Sequence, residues 1–360
     1  MHDNLNIRKT ITEKILNNIP EGDYVISPIG IWAVFAMSGY TFKEVLKNLN
    51  LSKEDAFAML EQYTEETADT DELMIKNLIW TQDSELVKNT PESEHVGVSS
   101  PIPSQEAADK IVEEFTKGLI KEFPGDLSAA LTVFTNIITM VLEWKKHFTV
   151  VNNDDMKYWN VNEIMMDKGK QKDNGEVNFV YDDDRNLFAV FTKYSKENCQ
   201  VISVISTDKE IRKESAFKVL QDVVEGERKT IAAEDLFAED ITQRSNFSIT
   251  KTRAENDSYS VQIPAWELDV TTDLNNLFLL PPNTSMIQKA VAKYQVSGFK
   301  AAAVTAMMTR SAMIMGESYD VCLDFDKPFA SAAVYESENW SNIPAFISWT
   351  ESAVEPKDED

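Results

Sequence analysis

Apolar positions along the 360-residue chain recur at helical spacing in some stretches and as alternating or short continuous runs in others, with Gly and Pro clusters between them. Leu5, Ile11, Ile15 and Ile19 predict a helix over residues 4–18 that stops at Pro20-Glu-Gly22. Tyr24 to Tyr40, YVISPIGIWAVFAMSGY, reads as a short strand running into a buried helix, and helical patterns continue through Phe42–Leu49 and Lys53–Tyr63. Leu73–Thr81 reads as a strand carrying Trp80, and the Gly, Ser and Pro residues of His95–Ser104 as a loop. A helix is predicted over Gln105–Phe123 and a long strand over Thr132–Phe148. Leu187–Asp208 contains paired strands, FAVFTKY and CQVISVIS, and Tyr259–Leu277 reads as a strand followed by a short helix.

The stretch from Gln288 to Phe329 is the one around which the chain is organised. It reads as strand, Gly298, a run of small apolar residues, then strand again. Between Ala301 and Ala312 the side chains are Ala, Val, Thr, Met, Ser and one Arg, without Gly or Pro. Connections of that length are normally polar or functional. The same residues admit a second reading: Ala301, Val304, Thr305, Met308, Ala312 and Met315 fall at helical spacing, with Gly298 and Gly316 as ends of an amphipathic helix.

Composition narrows the class. With 43% hydrophobic and 10% aromatic residues the chain can bury a sizeable core, and it has no internal linker. A formal net charge of −25 opposes a nucleic-acid or anionic-membrane partner. Lys145–Lys146 and Lys168-Gly-Lys170-Gln-Lys172 read as solvated surface. Cys199 and Cys322 stand in apolar alternating runs and are expected as buried, reduced thiols, so no disulfide framework is implied. MHDNLNIRKT lacks the apolar core of a signal peptide, and the longest apolar stretch, Tyr24–Met37, is interrupted by Pro28. The expectation is a soluble protein, cytoplasmic or secreted after processing.

Candidate chemistry is sparse. His2 is terminal, His95 lies in a polar loop, and His147 sits beside Trp144 and Phe148, where packing explains it. There is no nucleophile elbow, phosphate-binding glycine loop, dinucleotide fingerprint or paired-Cys metal pattern. Asp182–Asp184 lacks the glycine and the later glutamate of a calcium loop. No metal, cofactor or enzymatic activity is expected.

Several segments together resemble the serpins, in collinear order over most of the chain. Gln288–Ala306 resembles, without a gap, the family's hinge, with Gly298, Ala301, Ala302, Ala303 and Thr305 in register. FDKPF at Phe325–Phe329 resembles the Phe-x-x-Pro-Phe that leads into the C-terminal strands. Ser27 and Pro28 match an Ile-Ser-Pro segment, and Thr116 and Gly118 a Thr-x-Gly. TVFTNIITMVLEWKKHF at Thr132–Phe148 places Asn136, Trp144 and Phe148 in register, while Glu163–Gly169 resembles a Met-Met turn.

The resemblance implies an α+β fold with three β-sheets and eight or nine helices, a single domain over residues 1–354, an exposed reactive-centre loop at about 298–318, and an acidic disordered tail at 355–360. It implies a monomeric suicide-substrate inhibitor. A serine endopeptidase cleaves the loop, stays joined to it as an acyl-enzyme, and is disabled when the loop enters the central sheet. Roughly a dozen new ladder bonds at about 0.5–1.5 kcal/mol each supply on the order of 10 kcal/mol.

The implied hinge is Gly298, Phe299, Lys300, Ala301, Ala302, Ala303, Val304 and Thr305, and the implied sheet-opening cluster is Ser27, Gly30, Asn136, Gln288 and Trp144. Counting about fourteen positions from Gly298 gives the reactive bond as Ala312–Met313, suited to an elastase-like or subtilisin-like protease. Arg310–Ser311 is the alternative, for a trypsin-like one. Val296 and Lys300 stand where the family has glutamates, Phe299 where it has Thr or Ser, and Gly30 and Gln288 where it has a serine and a histidine. These departures keep open a second function, a non-inhibitory binding or structural protein on the same fold.

Overall fold

The computed structural model describes residues 15, 21–39, 46, 52–67, 70, 72–153, 158–254, 256–275, 285–299, 316–335 and 344–353. In chain order the helices are α1 (Pro28–Ser38), α2 (Lys53–Thr67), α3 (Ser84–Asn89), α4 (Gln105–Phe115), α5 (Lys213–Val224) and α6 (Ala233–Ala238). The strands are β1 (Tyr24–Ile26), β2 (Leu73–Thr81), β3 (Val96–Ser99), β4 (Thr132–Met140), β5 (Leu142–Glu143), β6 (Thr149–Asn152), β7 (Glu163–Lys170), β8 (Gly175–Tyr181) and β9 (Leu187–Tyr194). They continue with β10 (Cys199–Ser206), β11 (Phe247–Ala254), β12 (Ser258–Ile263), β13 (Trp266–Asp273), β14 (Ile287–Tyr294), β15 (Gly298–Phe299), β16 (Gly316–Asp324), β17 (Phe329–Tyr335) and β18 (Pro344–Thr350).

An antiparallel six-stranded sheet, β1-β18-β17-β10-β9-β8, forms the centre. Its strands β17 and β18 are buried at every position, which explains their continuous apolar runs FASAAVY and PAFISWT. On one side lies a five-stranded sheet, β11-β16-β12-β7-β6. On the other, α1 packs between β18 and β4. Helix α1 is apolar on all faces and is therefore a core helix. Ser27 caps it by accepting the Gly30 N–H at 3.2 Å, and Pro28 occupies its first turn, where no backbone donor is missed. The remaining strands form β3-β2-β4, β13-β14 and the short pair β15-β5.

Several expectations need correction. Six helices are present among the described residues, against the eight or nine expected. Helix α4 ends at Phe115 rather than Phe123. Thr116 Oγ donates to Ile120 O (3.1 Å) and accepts its N–H (3.0 Å), while Lys117 and Gly118 adopt φ of 53° and 82°, so a left-handed exit stops the helix. Glu163–Gly169 is not a turn but most of β7, paired with β12 from Met165 onward and with β6 over its first four residues. The strand expected over Thr132–Phe148 breaks at Val141, whose N–H bonds to Glu72 O at 2.8 Å. Cys199 is buried but Cys322 is exposed, because the two-residue period of β16 turns Val321 and Leu323 inward and Cys322 outward. No described helix is long and apolar enough to cross a membrane.

Candidate strand-insertion site

Strands β4 and β14 belong to different sheets, and among the described residues no ladder joins them. Among the described residues the β4 half and the β14 half pair at one end, where Gly298 and Phe299 of β15 run antiparallel to Glu143 and Leu142 of β5. The chain leaves β14 at Tyr294 and reverses at once, with the Gln295 N–H bonded to Gly298 O at 3.0 Å. Three donors from the segment after β5 hold this reversal. The Trp144 N–H reaches Ser297 O (3.3 Å), the Phe148 N–H reaches Val296 O (2.9 Å), and the Trp144 indole N–H reaches Gln295 O (3.0 Å). Gly298 is required here: a Cβ would overlap the Leu142 carbonyl oxygen and lie 3.1 Å from Glu143 Cα.

Farther along the strands, Ser27, Gly30, Asn136 and Gln288 come together at the start of α1. The Gln288 side-chain amide grips Ser27 twice, accepting its N–H at 2.8 Å and donating to its carbonyl at 3.1 Å. The Asn136 amide donates instead to Asn77 Oδ1 on β2 at 2.8 Å, and Asn77 donates in turn to Thr64 Oγ at 3.0 Å. Each half is therefore tied to what lies beside or beneath it rather than to the other half. A Cβ on Gly30 would stand 3.0 Å from Asn136 Oδ1 and 3.2 Å from Gln288 Nε2, so the glycine makes room for both amides.

Trp144 is not part of this cluster. It lies under the hinge reversal, fully buried, with its ring 5.3 Å from Tyr294 and 6.2 Å from Phe148. Tyr294 also stacks on Trp266 at 5.6 Å with the planes 7° apart. Behind these rings is an ion pair with no exposed surface, Lys193 Nζ to Asp167 Oδ2 at 2.7 Å, and the Tyr259 hydroxyl donates to the same oxygen at 2.9 Å. Lys193 lies 4.7 Å from the Phe148 ring centroid. Burial pushes the Lys193 ammonium down, and the Asp167 charge opposes that. Burial, then the Asp167 charge, pushes the Tyr294 and Tyr259 phenols well up. Among the described residues the Tyr294 hydroxyl and Asp167 Oδ1 have no hydrogen-bond partner.

The structure thus brings together four of the five cluster residues and sets Gly298 and the Phe299 backbone against β5. Lys300, Ala301, Ala302, Ala303, Val304 and Thr305 of the hinge, and both reactive bonds, Ala312–Met313 and Arg310–Ser311, lie outside the described residues. So does the tail. Sequence reasoning did not pick out Asn77, nor the Asp167–Lys193 pair. One signal was available: in LFAVFTKY, Lys193 shares the inward face with Leu187, Ala189 and Phe191.

No family sequence model matches the chain, and no curated protein matches it by sequence. Solved structures do match. Tengpin, a thermophilic serpin in its native state, superposes with a TM-score of 0.67 at 17% identity, over 98% of this chain and 95% of that one. A cleaved Serpin 42Da gives 0.65 at 15% identity over 99% and 100%. Human thyroxine-binding globulin in complex with thyroxine gives 0.62 at 14% over 96% and 94%. Coverage of nearly the whole chain on both sides, together with the several sheets, shows that this chain has the serpin fold.

Proposed function

We propose that this chain is a protease inhibitor that acts by loop cleavage and strand insertion, its substrate-like loop trapping a serine endopeptidase rather than the chain catalysing a reaction of its own. The observation that carries the reading is the β15–β5 pair. Two residues of the chain leaving β14 already run antiparallel to β5, which follows β4, and among the described residues no ladder joins β4 to β14. Cleavage frees the following residues to extend that ladder, and each added pair contributes about 0.5–1.5 kcal/mol. Ala301, Ala303 and Thr305 present small side chains to one face of such a strand. Ala312–Met313 is the reactive bond in this reading, with an elastase-like or subtilisin-like partner and a monomeric inhibitor.

A second reading, a non-inhibitory binding protein, is favoured by one feature. Phe299, the first residue to enter after the glycine, is the bulkiest departure in the hinge. Overpacking there costs about 1–3 kcal/mol, enough to slow entry while hydrolysis of the acyl bond continues. Incubation of the purified protein with a panel of serine proteases separates the two. A covalent complex that survives SDS supports inhibition, whereas a clean nick with fully active protease supports the second reading. Mass spectrometry of the released fragment after elastase or trypsin identifies the bond: cleavage confined to Arg310 rejects Ala312.

A further inference from the structure

A concavity lies away from the hinge, beside β2. That strand has nine residues, and β3 covers only Asn77–Trp80 of its outer edge, in parallel register from Val96 to Ser99. On the other edge β4 pairs with β2 along its whole length. Among the described residues, therefore, no strand lies against the outer edge of Leu73–Lys76, and a cleft of about 440 Å³ opens there. Thr64 and Thr67 of α2 form one wall, and Phe115, the last residue of α4, forms another. The α2 wall has its hydroxyl protons already committed, since Thr64 donates to Leu60 O (2.9 Å) and Thr67 to Tyr63 O (3.0 Å). Asn77 closes one end, donating to Thr64 Oγ (3.0 Å) and to His95 O (3.3 Å).

The same cleft holds a cation. Asn77 faces α2, so the two-residue period puts Met74 and Lys76 on the opposite face, where Lys76 Nζ stands 5.6 Å from the Phe115 ring centroid. The pairing of Asn77 with Val96 sets His95 beside Lys76. Among the described residues no hydrogen bond or ion pair engages the Lys76 ammonium or the His95 ring. Glu94, exposed at the rim, is the one acidic residue of the lining, and it opposes an anion of more than one charge. Sites that take small organic ligands run to about 300–1,000 Å³, with mainly apolar walls and a few polar groups that fix orientation. In a chain of net charge −25, a lone ammonium over an aromatic ring in such a cleft selects one negative charge carried on an apolar body. We propose that the cleft binds a small amphipathic carboxylate, an acyl or aryl acid, with its head group on Lys76 and His95 and its apolar body along Met74, Ile75 and Phe115. Binding there requires neither cleavage nor insertion of the loop.

Isothermal titration of the full uncut chain with octanoate, and separately with octanamide, tests the assignment, because the two probes share an apolar body and differ in head-group charge. The expected result is one-to-one binding of octanoate with a Kd of about 1 mM or tighter, the range open to so small a ligand. Octanamide is expected to bind at least about tenfold more weakly. Lys76→Met, which keeps the length of an exposed side chain and removes its charge, should weaken octanoate at least about tenfold and leave octanamide unchanged, whereas Lys76→Arg should retain octanoate. Met74→Trp, which fills the cleft, should abolish binding of both probes; if that variant does not fold, the two Lys76 variants decide. Absence of saturable octanoate binding up to about 10 mM overturns the site. Equal affinity for octanoate and octanamide, or octanoate binding that Lys76→Met leaves unchanged, overturns the carboxylate assignment.

Discussion

Gly298→Ala is the substitution through which the hinge geometry can be read most directly. The added methyl overlaps the Leu142 carbonyl oxygen and approaches Glu143 Cα to 3.1 Å, and both neighbours are backbone, which cannot swing aside as a side chain would. The β15–β5 pair must therefore separate, and the Gln295-to-Gly298 bond that closes the reversal is strained with it. Loss of two or three backbone hydrogen bonds, net of their replacement by water, costs about 1–3 kcal/mol. If insertion starts from that pair, the first step slows by roughly ten- to a hundredfold, since about 1.4 kcal/mol is a factor of ten. The assay is the number of inhibitor molecules consumed per protease trapped, with the second-order rate of trapping measured beside it. Gly298→Ala is expected to raise the ratio severalfold or more and to lower the thermal midpoint of the uncut protein by a few degrees. An unchanged ratio together with an unchanged midpoint would refute the reasoning, because the methyl cannot be accommodated without opening the pair.

Three further outcomes follow from the site. Gly30→Ser is expected to destabilise the chain by about 1–3 kcal/mol through crowding of Asn136 and Gln288, and Gln288→Ala should relieve part of that; urea melts of the two single variants and the double show this as non-additivity, and strict additivity would contradict the shared space. Phe299→Thr is expected to lower the number of inhibitor molecules consumed per protease trapped, and no change would dismiss Phe299 as the slow entrant. The raised phenols of Tyr294 and Tyr259 stay protonated in the folded chain where the unfolded chain ionises, so their stabilisation is complete below about pH 10 and is lost as pH rises, at about 1.4 kcal/mol per pH unit for each. Tyr294→Phe should flatten the fall of urea stability above pH 10 by that amount, while the lowered Lys193 adds stability with rising pH only below about pH 10.5, equally in both proteins; an identical slope would contradict it.

The parts of this fold that can be read from sequence are those whose burial is dictated by one strand or helix alone. The runs FASAAVY and CQVISVIS, the buried helix after Ser27-Pro28, and the glycine at 298 each announce themselves, because period and turn chemistry act over a few residues. The positions that escape depend on partners far away in the chain. Nothing local in Glu163–Gly169 separates a turn from a strand; β12, nearly a hundred residues on, decides it. The resemblance groups Trp144 with Ser27 and Asn136, yet Val141 interrupts the strand and the indole goes to the hinge instead. The apolar run around Cys322 suggests a buried thiol, whereas the strict alternation of β16 puts it outside. Asn77 and the Asp167–Lys193 pair are polar groups whose cost of burial is met by partners on other elements, Thr64 and Asn136 for Asn77 at 13 and 59 positions and Asp167 for Lys193 at 26.

The central claim is that the loop enters between β4 and β14 once it is cut, and the thermal midpoint before and after cleavage tests it most directly. Limited elastase or subtilisin treatment, stopped when mass spectrometry shows a single cut between Met308 and Met315 and both fragments remain associated, gives the sample. Calorimetry on the cut and uncut protein should show a rise of tens of degrees, as expected for about ten kcal/mol of new strand pairing in an otherwise unaltered fold. A midpoint that stays the same or falls after that cut would contradict insertion and leave a serpin fold without the inhibitory mechanism.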